Sequence, residues 1–281
     1  MSVKIIIDST CDLLPEIKAR LCVVPLTVRF GTREYRDGVD IDHSEFYRML
    51  TTGQEMPTTS QASPADFEQV YRDCTKDGSQ AVVLCVSGKL SGTYQSAVIA
   101  AQEYEGQVFV VDSQTVAIGT GILAELALQL AGSGMSAADI AARLEEERSR
   151  VRVVALLDTL EYLKRGGRIS KTAAFAGSLL NIKPVACIED GEIKLLGKAR
   201  GSKMGNNLLV QEIEKAGGVD FQKPLLLGYT GLSDELLGRY IEDSAHLWRG
   251  STSALAQTPI GSVIGTHAGP GAIAVAFFKK G

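Results

Sequence analysis

Three short apolar runs open the first half of the chain without polar alternation. They are Val3–Ile7, Ala81–Val86 and Val108–Val111, followed by Asp8-Ser9-Thr10, Ser87-Gly88 and Asp112-Ser113. A strand with one wet face alternates polar and apolar residues, whereas a continuous apolar run suits a strand covered on both faces, as in a parallel sheet. Helical patterns separate these runs. Ser63-Pro64-Ala65-Asp66 combines a capping hydroxyl, a proline at the first helical position and an acid in the first turn, and Phe67, Val70, Tyr71 and Cys74 then share one face. Ser136 opens another helix, with Ile140 and Leu144 on one side. Val116–Ala131 is apolar almost throughout, but Glu125 and Gln129 interrupt it and it is shorter than a membrane span needs. A carboxylate at the bilayer centre would cost about 2.5 kcal/mol or more, so the stretch predicts a buried helix of a soluble fold. The alternation predicts an α/β domain over residues 1–155, built on a parallel sheet.

The pattern then changes. Pro184–Ile188, Asp190-Gly191 and Ile193–Leu196 predict a hairpin with a tight type I′ turn. A helix over Lys203–Lys215 and strands over Pro224–Tyr229 and Ala272–Phe278 follow. Residues 156–281 are therefore expected to form an α+β domain with a mixed or antiparallel sheet. Val23–Phe30 and Arg33–Arg36 predict a small hairpin inserted in the first domain. A length of 281 residues agrees with two domains.

Composition narrows the function. The net charge of −4 supplies no basic footprint for non-specific nucleic-acid binding, and no DNA-binding signature is present. The N-terminus has only a run of three isoleucines between Lys4 and Asp8, too short for a signal-peptide core. The five cysteines, Cys11, Cys22, Cys74, Cys85 and Cys187, show no CxxC or metal-ligand spacing, and Cys85 and Cys187 read as core packing. An odd count without a secretion signal suits a reducing cytoplasm.

Candidate chemistry gathers at two hydroxyl clusters. Ser87-Gly88-Lys89-Leu90-Ser91-Gly92-Thr93 suggests a phosphate loop, but Val83 stands at the first glycine position and Leu90 follows the lysine. The nucleotide-binding pattern therefore fails twice. The loop still lies between a strand end and a helix start, where unpaired amides and the helix dipole favour an anion. Thr58-Thr59-Ser60-Gln61 carries more polar groups than the single cap of the following helix requires. Plain N-capping remains an alternative at both clusters. A serine hydrolase centred on Ser91 would need the Gly-x-Ser-x-Gly elbow, which is absent, and a histidine partner. His43 is expected to be exposed and His246 to be structural in a helix, while His267 sits in the glycine-rich stretch Gly265–Gly271 and can line a site. Three scattered histidines argue against a metal centre. The basic turn Leu163–Ser170, with Lys164, Arg165 and Arg168 and a helix expected after it, reads either as solvated charge or as a landing area for phosphates or an acidic partner. The same holds for Lys198, Arg200 and Lys203.

Together these motifs resemble the DegV family, which includes the fatty-acid-binding subunits of bacterial fatty acid kinase. The resemblance rests on Ile5–Thr10, Thr59-Ser60-Gln61, Leu90–Tyr94, Val111-Asp112-Ser113, Tyr162–Ile169, Lys183-Pro184 and Gly265–Gly271, in order along nearly the whole chain. It implies a two-domain α/β protein, not itself an enzyme and without a cofactor, that buries an acyl chain between its domains. It implies that Thr59 and Ser91 hold the carboxylate. Ser60, Gly92, Thr93, Arg200 and His267 are further head-group or pocket candidates, although Gly201 follows Arg200 where family members often have threonine. Lys164, Arg165 and Arg168 are candidates for the surface met by an ATP-dependent kinase. That partner would convert the acid to an acyl phosphate for phospholipid synthesis. The competing readings are an acyl hydrolase or acyltransferase using Ser91, and a lipid sensor without a kinase. Burying about 14 methylenes at about 0.8 kcal/mol each yields roughly 11 kcal/mol before association costs.

Overall fold

The computed structural model describes residues 2–53, 55–169, 182–251 and 254–281. The chain begins with β1 (Val3–Asp8), α1 (Pro15–Lys18), β2 (Cys22–Val24), β3 (Thr27–Phe30), β4 (Arg33–Arg36) and α2 (His43–Thr52). Next come β5 (Thr58–Ser60), α3 (Pro64–Thr75), β6 (Gln80–Cys85), α4 (Thr93–Ala101), β7 (Val108–Asp112), α5 (Ile118–Gly132) and α6 (Ala137–Glu147). The second half holds β8 (Val151–Leu156), α7 (Glu161–Arg165), β9 (Ile182–Glu189), β10 (Glu192–Arg200) and α8 (Gly201–Lys215). It ends with β11 (Leu226–Tyr229), α9 (Glu235–Asp243), β12 (Gln257–Pro259), α10 (Ser262–Ala268) and β13 (Ile273–Phe278).

The three continuous apolar runs form the parallel sheet they predict. Its order is β2-β1-β6-β7, with Ile6 of β1 opposite Val83 of β6 and Val83 opposite Val110 of β7. The second sheet is mixed, ordered β10-β9-β8-β13-β11-β12, antiparallel except between β11 and β12. Strand β8 belongs to this second sheet, so the change of sheet falls before Val151, ahead of the expected division at 155. The hairpin of β9 and β10 turns at Asp190 (φ 50°) and Gly191 (φ 77°), both left-handed as a type I′ turn requires.

The run Val23–Phe30 divides in two. Its first part is β2, parallel to β1; its second is β3, which pairs with β4 and also with β5 in a three-stranded antiparallel sheet. Pro25 removes an amide between the two, and the Leu26 amide leaves the ladder to donate to Ser9 Oγ at 3.0 Å.

Helix α5 explains how the sheets are assembled. Its residues Ile118–Ala124, Leu126 and Ala127 are buried. It packs on β1 and β6 on one side and on β8, β11 and β13 on the other. One apolar cluster therefore joins Ile5, Ile7 and Leu84 of the first sheet to Leu226, Ala276 and Phe278 of the second. The outer faces are covered separately. α3 and α4 cover the parallel sheet, while α8 and α9 cover Val275 and Phe277 of the mixed one. Close approach to α5 depends on its glycines. A Cβ on Gly121 would stand 2.2 Å from the Asp12 carbonyl oxygen, and one on Gly119 would stand 2.5 Å from Val153 Cγ2. No helix among the described residues is long and apolar enough to cross a membrane.

This packing sets an expectation. Gly121→Ala gains helix propensity, worth about 1 kcal/mol at an exposed site. It should nonetheless lower stability by about 1–3 kcal/mol, because the obstacle is backbone. Gly132→Ala, with nothing within 4 Å of the added methyl, should be neutral or stabilising. Thermal unfolding of the two variants beside the parent is the measurement; equal midpoints would disprove the tight contact.

Candidate functional site

Between the two sheets, beside the start of α5, lies a cavity of about 440 Å³, within the usual range for small-molecule sites. Its walls are mostly apolar. Val116 and Ala117 come from the entry to α5, Val153 and Ala155 from β8, and Ile273 and Ala274 from β13. The inner face of the β9–β10 hairpin adds Ala186, Ile188 and Ile193. Ala117 is held at φ 55°, ψ −127°, a conformation that costs a non-glycine residue about 1–3 kcal/mol. Its carbonyl accepts from the Gly121 amide at 3.1 Å.

One end of the cavity is polar. Thr59, Ser60, Gln61, Ser91, Arg168 and His267 converge there. Gly92, the residue before α4, also lines this end, and Ser60 sits exposed at the rim. Gln61 binds the two hydroxyl clusters together. Its amide nitrogen donates to Ser96 Oγ at 3.0 Å, and its side chain lies over Gly92 so closely that a Cβ there would meet Oε1 at 2.1 Å. Asp8 does the same work deeper down. Its buried carboxylate accepts from the Val86 amide at 2.7 Å and the Thr10 amide at 2.9 Å, fixing the ends of β1 and β6 from which the serine loop departs. Burial raises the Asp8 pKa, and these hydrogen bonds partly offset the rise.

His267 occupies the last turn of α10, a helix where the glycine-rich sequence predicts a turn. Several bonds fix the start of this helix. Asp12 accepts from the Gly261 amide at 2.8 Å, Asp37 from the Ser262 amide at 3.3 Å, and Tyr47 donates to the Ile260 carbonyl at 3.2 Å. Burial and the Arg168 charge lower the His267 pKa to about 4, so the ring is neutral at neutral pH. Its Nε2 lies 2.9 Å from Thr59 Oγ1, while its buried Nδ1 has no hydrogen-bond partner. An orphaned donor is rarer and costlier than an orphaned acceptor, which places the hydrogen on Nε2. Nε2 then donates to Thr59, and the Thr59 hydroxyl hydrogen is free to point into the cavity. Ser91 accepts from the Thr93 amide at 3.2 Å and meets Thr93 Oγ1 at 2.8 Å. Thr93 is fully buried beside Ser91 and does not line the cavity, contrary to expectation. The hydrolase alternative lacks a base on Ser91: among the described residues its side chain meets Thr93, and His267 meets Thr59.

The basic residues separate. Gly166 and Gly167 (φ 71°) reverse the chain after α7, and Arg168 turns inward. Its Nε donates to the Leu90 carbonyl at 3.3 Å and its Nη1 to the Gly166 carbonyl at 2.5 Å. Lys164 and Arg165 stay exposed, Arg165 paired with Glu161 at 2.7 Å. Arg200 is exposed at the end of β10 and does not line the cavity, contrary to expectation. Outside the polar end, a depression of about 520 Å³ carries Lys89, Arg168 and Glu192. Ser170 and the helix expected after the basic turn lie outside the described residues.

The other histidines differ from expectation. His43 is half-buried against Tyr47, with ring centroids 4.7 Å apart, and burial lowers its pKa. His246 is exposed in a single 3₁₀ turn. Among the described residues, no group of three or more His, Cys, Asp or Glu side chains is arranged to hold a metal ion.

The DegV family model, described as an uncharacterised protein family, matches residues 2–280. The chain belongs to the DegV family. A DegV domain-containing protein of Caldanaerobacter subterraneus subsp. tengcongensis is 37% identical over 99% of both chains. A DegV family protein from Thermus thermophilus, described as fatty acid binding, superposes with a TM-score of 0.89 at 34% identity over the full length of both chains. A stearic acid-binding protein from Eubacterium ventriosum superposes with a TM-score of 0.86 at 29% identity, covering 100% of this chain and 99% of that one. In this DegV protein the cavity lies at the junction of a parallel and a mixed sheet.

The His267 environment generates a pH expectation. Its folded-state pKa of about 4 lies below the ordinary 6.5, so neutral His267 contributes stability that is complete above pH 6.5 and lost as pH falls toward 4. Asp12, raised to about 7 by burial, runs in the opposite direction and partly masks this in the parent protein. The stability difference between parent and His267→Gln should therefore shrink on acidification over that window, by on the order of 1–3 kcal/mol. Denaturant unfolding at several pH values measures it; a constant difference would mean that the ring carries no such shift.

Proposed function

We propose that this DegV protein binds a long-chain fatty acid in the cavity and presents its carboxylate to a separate ATP-dependent kinase subunit, which converts it to an acyl phosphate. The observation that carries the binding step is the cavity's polarity: an apolar interior of about 440 Å³ with two hydroxyls, a neutral histidine and one arginine at one end. Thr59 and Ser91 each offer a hydrogen to a carboxylate. Arg168 supplies charge from the rim, where its own bonds to Leu90 and Gly166 hold it. An anion buried without such partners would be expelled or neutralised. The resemblance of the site-bearing motifs to fatty-acid-binding relatives supports the same ligand class.

The kinase step rests on what the loop contains. Val83 and Leu90 break the phosphate-loop pattern, so a nucleotide would have to come from another chain. The depression with Lys89 and Arg168 lies immediately outside the carboxylate end, where phosphoryl transfer would need positioning and positive charge. Lys164 and Arg165, exposed on α7 ahead of Arg168, serve as contacts for the partner. We assign this activity to the cytoplasm and divide the chain into domains of 1–155 and 156–281, with β8 crossing to the second sheet.

Two experiments test the proposal. Mass spectrometry of lipid released from denatured, purified protein should find a stoichiometric long-chain acid; none from well-folded protein would end the carrier reading. Hydrogen bonds to charged groups are worth about 1.5–3 kcal/mol, so Thr59→Ala and Ser91→Ala should each weaken acid binding roughly ten- to a hundredfold. Both donors serve one carboxylate, so the losses should not add. The variants should also discriminate less between acid and methyl ester; unchanged discrimination with reduced stability would make both residues helix caps only. For the kinase step, charge reversal at Lys164 and Arg165 should impair turnover with a cognate kinase and spare lipid binding. ATP turnover by the isolated chain would contradict the division of labour.

A further inference from the structure

The stretch Tyr162–Ile169 holds two adjacent glycines, and the backbone needs only the second. Gly167 has φ 71°, in the left-handed region that favours glycine. Gly166 closes α7 at φ −69°, ψ −11°, right-handed values open to any residue. What demands glycine at 166 is its neighbour. A Cβ there would stand 2.1 Å from His267 Nδ1 and 2.8 Å from its Cε1, with the Tyr162 carbonyl oxygen a milder obstacle at 3.2 Å. The contact is reciprocal, since a Cβ on Gly269 would stand 2.2 Å from the Tyr162 ring. α7 and the end of α10 each lodge a ring against a bare Cα of the other.

Two side chains of the polar end therefore meet at Gly166. Its Cα faces the His267 ring, and its carbonyl accepts from Arg168 Nη1 at 2.5 Å. Gly166 itself is not part of the cavity wall. We propose, on the reading that a carboxylate occupies the polar end, that Gly166 is a positioning residue for it: the bare Cα fixes the place and the tautomer of the His267 ring.

The Gly166 hydrogen that takes the place of a side chain points at Nδ1. A hydrogen on Nδ1 would collide with it, whereas a lone pair there meets a weak C–H donor. The ring nitrogen without a conventional partner is thus closed to a proton. The ring hydrogen stays on Nε2, 2.9 Å from Thr59 Oγ1, and Thr59 keeps its own hydrogen for an anion. Alanine at 166 would strain no backbone angle, but its methyl group would push the ring off Thr59.

The test uses the full chain and palmitate. Long-range NMR of the imidazole nitrogens, with His267→Gln to assign the ring, should show neutral His267 protonated on Nε2 at pH 7 and titrating near 4. Gly166→Ala should mix the tautomers, move the titration toward the ordinary 6.5 and weaken palmitate binding roughly tenfold. In a His267→Ala background, where the ring is gone, Gly166→Ala should cost no further affinity. A parent ring protonated on Nδ1, a Gly166→Ala ring with the parent's tautomer and titration, or an equal loss of affinity in the His267→Ala background would overturn the assignment. If Gly166→Ala alone folds poorly, adding His267→Ala should restore the thermal midpoint of the His267→Ala protein. A double variant as unstable as Gly166→Ala would likewise overturn it. A parent that binds no palmitate would dismiss the carboxylate from the site, while the ring signals still decide the contact.

Discussion

Helix α5 is apolar on nearly every side, and a helix of that kind is stable in water only when it is enclosed. Neither sheet alone can enclose it. The parallel sheet covers one side and the mixed sheet the other, so the two halves of the chain share a single core instead of touching at an ordinary domain interface. The cavity lies where this shared core loosens, at the strained Ala117 that begins the helix. A binding space between the sheets is thus a by-product of how α5 is covered.

The polar end follows from a second constraint, that strand ends in an open sheet leave loops and helix starts with unpaired groups. Asp8 collects the ends of β1 and β6, and Gln61 ties β5 to α4. Asp12 and Asp37 fix the start of α10 and thereby the reach of His267. Each contact spans segments far apart in the chain. The result is a set of neutral donors with one guanidinium among them at one end of an apolar cavity.

What was legible in the sequence was mostly local. The unalternating runs of β1, β6 and β7, the left-handed pair Asp190-Gly191 and the Ser63 cap all act within a few residues, and the structure follows them. The hydroxyl cluster at Thr59 stands out in the sequence because it exceeds what one cap needs, and that at Ser91 because it lies between a strand end and a helix start. The division of Val23–Phe30 escaped, since it depends on Ser9 capturing the Leu26 amide from another strand. The helical state of α10 escaped because Gly265 reads as a turn residue, while its real role is to let α2 approach: a Cβ there would stand 2.4 Å from the Tyr47 hydroxyl oxygen. The positions of Arg168 and Arg200 are the reverse of what their sequence neighbours suggest: Arg168, expected at a partner surface, lines the cavity, and Arg200, expected in the pocket, is exposed, because which way the chain folds back after α7 and β10 is not written locally.

A buried hydrogen bond between the hairpin and the serine loop has a mechanical consequence. Ser87 donates to the Gly191 carbonyl at 2.7 Å, buried, so the tip of the β9–β10 arm is pinned to the loop that leads to Ser91. The hairpin is wall to the cavity along its length and, at its tip, is tied to the loop that carries Ser91. An outward displacement of the wall would also drag the serine loop, so the width of the apolar end and the geometry of the polar end are mechanically linked.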